Sequence, residues 1–132
     1  MYPKDLRYTQ HHQWLRVKDG IGVVGITHYA QEQLGDLVYV DLPSEGDEVT
    51  VGEPFGTVES VKAVEDVYAP VGGKVQAVNS DLEDAPERIN QDCYGEGWLI
   101  RIDMSNESEV NSLMRVDEYE QFVQEQKAKG ES

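Results

Sequence analysis

The chain is poor in cysteine, histidine and basic side chains, and it has no long apolar run. Cys93 is the only cysteine in 132 residues, so no internal disulfide can form and a reducing compartment is the natural setting. Three histidines, His11, His12 and His28, cannot join one cysteine in a spaced zinc motif, and the adjacent pair is expected to diverge along an extended strand. Metal binding is not expected. Eleven Lys and Arg against 26 Asp and Glu give a net charge of −15, which repels nucleic acid phosphates and anionic membranes. No segment has the length of a membrane span, and Met1-Tyr2-Pro3-Lys4-Asp5 lacks an apolar signal core. The expectation is a cytoplasmic protein, or an organelle-matrix one after removal of a transit peptide. Glycine-rich phosphate sites and a nucleophile paired with a base are also missing, which points away from catalysis.

What is present suits a mainly β fold. The 12 Gly and 5 Pro punctuate short runs rich in Val, Thr, Tyr and Ile. Asp19-Gly20 between Leu15–Lys18 and Ile21–Gly25 is a hairpin signal, because Asp-Gly supplies the positive φ angles of a tight turn. Thr27 can cap a short helix over His28–Leu34 that stops at Gly35. Strands follow at Leu37–Leu42 and Glu48–Val51, then at Lys74–Val78 and Trp98–Ile102, with a helical turn near Pro86. From Asn106 the composition shifts to Glu, Gln and Lys, and Asn106-x-x-Glu109 and Asp117-x-x-Glu120 resemble capping boxes that begin two helices. Tyr119, Phe122 and Val123 form one apolar helical face, and 127–132 reads as a frayed tail. The length suits one domain over 1–132, with a core at about 8–104 and C-terminal helices at about 106–127.

The chemistry gathers at Lys62. Phe55–Ser60 and Ala63–Ala69 read as two strands bounded by Gly52, Pro54, Pro70, Gly72 and Gly73, with Lys62 at the hairpin tip. Such a lysine is exposed and nearly fixed in direction. Glu59, Glu65 and Asp66 favour its ammonium form, so it is a poor base or Schiff-base amine and would have to be acylated by an enzyme. On its own, a turn lysine is more often an ordinary charged residue.

The residues around it resemble a known family. Glu59-Ser60-Val61-Lys62-Ala63 is similar to the segment on which the H protein of the glycine cleavage system carries lipoic acid in amide linkage. The likeness runs from Tyr8 to about Val123, through His12-Gln13-Trp14, Leu34-Gly35-Asp36, Ala69-Pro70-Val71-Gly72-Gly73, Ile89-Asn90 and Tyr94-Gly95-Glu96-Gly97-Trp98. Biotin carriers resemble it in the hairpin-tip lysine but flank that lysine with methionine, which Val61 and Ala63 do not match. The resemblance implies a barrel-sandwich hybrid of two antiparallel sheets, with short helices and a C-terminal helical segment. It also implies a monomeric carrier, with Lys62 as lipoyl attachment point and Glu59, Ser60, Val61, Ala63 and Asp66 as its recognition frame. The partners implied are glycine decarboxylase, aminomethyltransferase, dihydrolipoyl dehydrogenase, and a lipoate ligase or lipoyl transferase.

Three departures bear on the pathway. Gln13 replaces a glutamate usual near the place where the family's loaded arm docks, Cys93 replaces a proline, and His28 stands where aspartate is frequent. His12, Gln13 and Cys93 are therefore candidate arm-docking residues, although a free cysteine is more often a small buried hydrophobe and Trp14 reads as core. An aminomethyl group is cationic near neutral pH, so a carboxylate suits it and a glutamine leans toward a sulfur cargo. The alternative is thus an H-protein-like lipoate-binding protein of sulfur oxidation, serving a heterodisulfide-reductase-like complex.

Overall fold

The computed structural model describes residues 2–130. Nine strands form two antiparallel sheets. The larger has the order β1-β2-β3-β9-β8-β5, from Arg7–Tyr8 (β1), Gln13–Lys18 (β2), Ile21–Ile26 (β3), Glu48–Val49 (β5), Gly73–Val78 (β8) and Ile100–Met104 (β9). The smaller has the order β4-β6-β7, from Leu37–Asp41 (β4), Pro54–Ser60 (β6) and Val64–Tyr68 (β7). Apolar side chains from both, among them Leu15, Val24, Val40, Val58, Val75 and Ile102, meet in one buried core, the sandwich that the family resemblance implies.

Local chemistry sets most boundaries. Asp19 and Gly20 turn β2 into β3 at φ 52° and 79°, the left-handed angles a two-residue hairpin loop requires. Helix α1 spans His28–Leu34; Thr27 Oγ1 accepts from the Ala30 N–H, and Gly35 stops the helix at φ 81°. Two one-turn helices, Asp81–Asp84 (α2) and Arg88–Gln91 (α3), stand where a single helical turn near Pro86 is predicted. The last strand lies two residues later than expected, at Ile100–Met104, because the Trp98 N–H is used in a turn with the Gly95 carbonyl.

The C-terminal segment differs in detail. Glu107–Ser112 is a 3-10 helix capped by Asn106, whose Oδ1 accepts from the Ser108 N–H; Glu109 does not reach back and instead accepts the Gly72 N–H at 2.9 Å. Helix α4 covers Val116–Gly130, and its first turn is closed by Glu118, which accepts the Arg115 N–H at 3.0 Å. The Asp117/Glu120 box is therefore two residues out of register. The expected tail is helical as far as Gly130, and Glu131 and Ser132 lie outside the described residues. Tyr119 and Val123 pack with Tyr2, Leu6, Tyr8, Trp14 and Tyr29 into a second, aromatic cluster, and Phe122 lies partly buried against it.

Candidate functional site

Lys62 sits on the three-residue link between β6 and β7 and is exposed. Ser60 builds that link. Its side chain is 4 % exposed, and its Oγ accepts from the N–H of Lys62 (3.3 Å) and of Ala63 (3.1 Å), while the Ser60 N–H donates to the Ala63 carbonyl at 2.8 Å. The Val61 N–H donates to the Asp36 carbonyl, tying the tip to the loop after α1. Glycine is needed at 35 for its φ of 81°, and a Cβ there would lie 3.8 Å from Lys62 Cε, so the lysine stem runs past the bare end of α1.

Asn90 braces that loop, a role sequence reasoning did not single out. Its Oδ1 accepts the Leu37 N–H at 2.9 Å and its Nδ2 donates to Gln31 Oε1 and the Gly35 carbonyl. Among the described residues the side-chain ion pairs are His28–Glu32 and Arg88–Glu96, so the Lys62 ammonium is held by no carboxylate. Glu59 faces Tyr39 and Val64 across the small sheet, and Asp66 faces Thr57. Val61 is 74 % exposed and Val64 is 60 % exposed, which leaves the tip with an apolar rim.

A groove of about 310 Å³ begins at Ala63 and runs between β7 and α1 to His12 and Gln13. Leu34 and Val58 line it, with Glu65 and Asp66 from β7. Pairing puts Glu65 opposite the buried Val58, on the inner face of the sheet, where it can reach the groove.

Gln13 is 2 % exposed and its amide is spent within its own turn: Oε1 accepts from Thr9 Oγ1 at 2.8 Å and Nε2 donates to the His11 carbonyl at 3.0 Å. His11 and His12 are not on an extended strand. They occupy a turn before β2, His12 at φ 65°, with His11 stacked on Tyr68 and His12 turned inward against Tyr29, Tyr119 and Phe122. Burial, then the neighbouring His11, lowers the His12 imidazole to about 4. Cys93 is not brought to the groove. It is buried in the core, its carbonyl accepts the Trp14 indole N–H at 2.9 Å, and burial pushes its thiol up to about 12, so it is an inert small hydrophobe. Trp14 is fully buried, as its core reading requires. His28 is spent on Glu32 and Gln31 at the surface.

The glycine cleavage H-protein family model matches residues 6–126, hairpin and groove included. The chain belongs to that family. The glycine cleavage system H protein of Carboxydothermus hydrogenoformans is 48% identical over 124 residues, which cover 94% of this chain and 95% of that protein. The H protein of an Anaeromyxobacter species is 55% identical over 94% of this chain and 97% of its own length. The crystal structure of the H protein from Mycobacterium marinum superposes with a TM-score of 0.83 at 41% identity, covering 89% of this chain and 95% of that one. H proteins are lipoyl carriers whose lipoic acid is held on a lysine, and the fold here is their lipoyl-domain-like sandwich. These names support the glycine cleavage reading and give the sulfur alternative no support.

Proposed function

We propose that Lys62 is the lipoyl lysine and that the chain, as a single carrier domain without catalysis of its own, shuttles an aminomethyl group and electrons in glycine cleavage. The observation that carries this is the tip itself: an exposed lysine with no ion pair among the described residues, on a turn whose hydrogen bonds Ser60 closes, within a chain of this family. The residues fit an amide-linked arm. Gly35 leaves room beside the stem, and the groove opens at Ala63. When attached, lipoic acid supplies a disulfide that opens to take the one-carbon unit and two electrons, chemistry that is the cofactor's own. The chain contributes tethering, which confines the arm and raises its effective concentration, and a groove in which a loaded arm is shielded from water.

The groove keeps a negative character without a carboxylate at 13. Glu65 and Asp66 line it, and neither is neutralised by a salt bridge among the described residues. A cationic cargo therefore has carboxylates to meet, and the glutamine no longer favours sulfur. Glycine decarboxylase, aminomethyltransferase, dihydrolipoyl dehydrogenase and a lipoate-attaching enzyme are the partners of this reading, and a reducing cytoplasm or matrix is its setting. No helix of the described residues is long and apolar enough to cross a membrane.

The test is loading. A lipoate ligase should add one lipoyl mass to the wild type and none to Lys62→Arg, while both melt at the same temperature, since surface changes usually cost within about 0.5 kcal/mol. A lipoyl group on the variant would place attachment elsewhere. Glycine-dependent loading of the wild type by a decarboxylase from the same host checks the pathway, and failure there rejects the glycine reading.

A further inference from the structure

His12 stands in the groove wall and its ring is tied into a buried relay. Its Nδ1 lies 2.8 Å from Tyr119 Oη, which lies 2.7 Å from Thr27 Oγ1. Thr27 and Tyr119 are both fully buried. Among the described residues, Thr27 Oγ1 has two hydrogen-bond neighbours: the Ala30 N–H, from which it accepts, and Tyr119 Oη. The Thr27 proton can therefore go only to Tyr119, and the Tyr119 proton then goes to His12 Nδ1. The reverse order strands the Thr27 hydroxyl proton in the core, and a buried donor without a partner is costly. With Nδ1 accepting, the neutral ring carries its hydrogen on Nε2.

That second nitrogen is open. No fully buried side-chain nitrogen or oxygen among the described residues lacks a partner, and Nε2 forms no hydrogen bond among them, so this nitrogen keeps some exposure on a residue that lines the groove. We propose that His12 is a positioning residue of the arm groove, fixed by Thr27 and Tyr119 as the Nε2–H tautomer so that it presents a neutral donor to an uncharged acceptor of the arm. The acceptors available on a lipoylated lysine are its amide carbonyl and its sulfur atoms. Because Nε2–H can only donate, His12 takes no proton from an ammonium cargo, and that end of the arm is left to Glu65 and Asp66. The ring stays neutral well below neutral pH, as its burial against Tyr29 and Phe122 requires. The role rests on the carrier reading, whereas the tautomer does not.

Nitrogen-15 histidine spectra of the unlipoylated full chain at pH 7 should show His12 as the Nε2–H tautomer, and Tyr119→Phe should release it toward a mixture. An Nδ1–H ring or an imidazolium in the wild type overturns the proposal. After lipoylation confirmed by intact mass, and loading with glycine, the His12 Nε2 and its proton should shift while Nδ1 keeps its acceptor pattern. Unchanged His12 signals in a loaded protein overturn the positioning role and leave the carrier reading standing. If no lipoyl mass appears on Lys62, the carrier reading fails and the role falls with it, even with the tautomer as described.

Discussion

Ser60 links sequence to function more directly than any residue except Lys62. Its buried hydroxyl accepts two turn amides, and without it the N–H groups of Lys62 and Ala63 lose their acceptor. Ser60→Ala should cost about 1 kcal/mol in chemical denaturation, the typical worth of such hydrogen bonds, and should slow lipoyl attachment. Unchanged loading kinetics would show that the attaching enzyme reshapes the turn itself.

His12 makes a pH prediction of definite sign. Its folded value near 4 lies below the ordinary 6.5, chiefly through burial and then through His11. Between those values the unfolded chain holds more protons than the folded one. Stability derived from the neutral ring is thus present above pH 6.5 and lost as pH falls toward 4. The melting-temperature difference between wild type and His12→Gln should shrink in wild type's disfavour over that window. Tyr29, Tyr119 and Phe122 pack on the ring, the neighbouring His11 acts on it electrostatically, and Glu65 and Asp66 share its groove; a difference constant with pH would show that the ring does not titrate over this window.

At the scale of elements, Asn90 connects α3 to the end of α1 and the start of β4, beside the lysine hairpin. Asn90→Ala should cost about 1–3 kcal/mol, because it leaves the Leu37 N–H and the Gly35 carbonyl without their partner. Amide exchange should quicken at Leu37 and also at Val61, whose N–H donates to the Asp36 carbonyl between them. Faster exchange at Leu37 alone would mean that the hairpin holds its own shape.

Elements fixed by neighbouring residues were legible in the sequence. The Asp19-Gly20 hairpin, the Thr27 cap, the Gly35 stop and the two strands around Lys62 all follow from local chemistry. What was hidden depends on distant partners. His12 takes a left-handed angle uncommon outside glycine, held by Tyr119 more than a hundred positions away. Glu109 leaves its capping box for the Gly72 amide, 37 positions away; Gln13 is the local exception, since its partners Thr9 and His11 are near in sequence and meet it in the turn made by the left-handed angle of His12.

For the whole molecule, charge is distributed as unevenly as it is abundant. Lys62 is the only Lys or Arg between Lys18 and Lys74, a stretch that holds the whole small sheet. Acylation converts its ammonium to a neutral amide and leaves that sheet without a lysine or arginine charge. Association of the lipoylated protein with a partner enzyme should therefore slow as salt rises and the Debye length shortens to about 8 Å at 0.15 M. Rates indifferent to salt would leave the acidic surface to solubility.

The bare end of α1 has a mechanical consequence. With no side chain at Gly35, the lysine stem has a smooth bearing on one side and a turn pinned by hydrogen bonds beneath it. With Lys62 as the proposed attachment point, the arm's own torsions would do the moving, and its far end would sweep a volume centred on one point of the surface. An enzyme needs only to bring its mouth to that point, which lets active sites of different shape be served in turn without the carrier changing conformation.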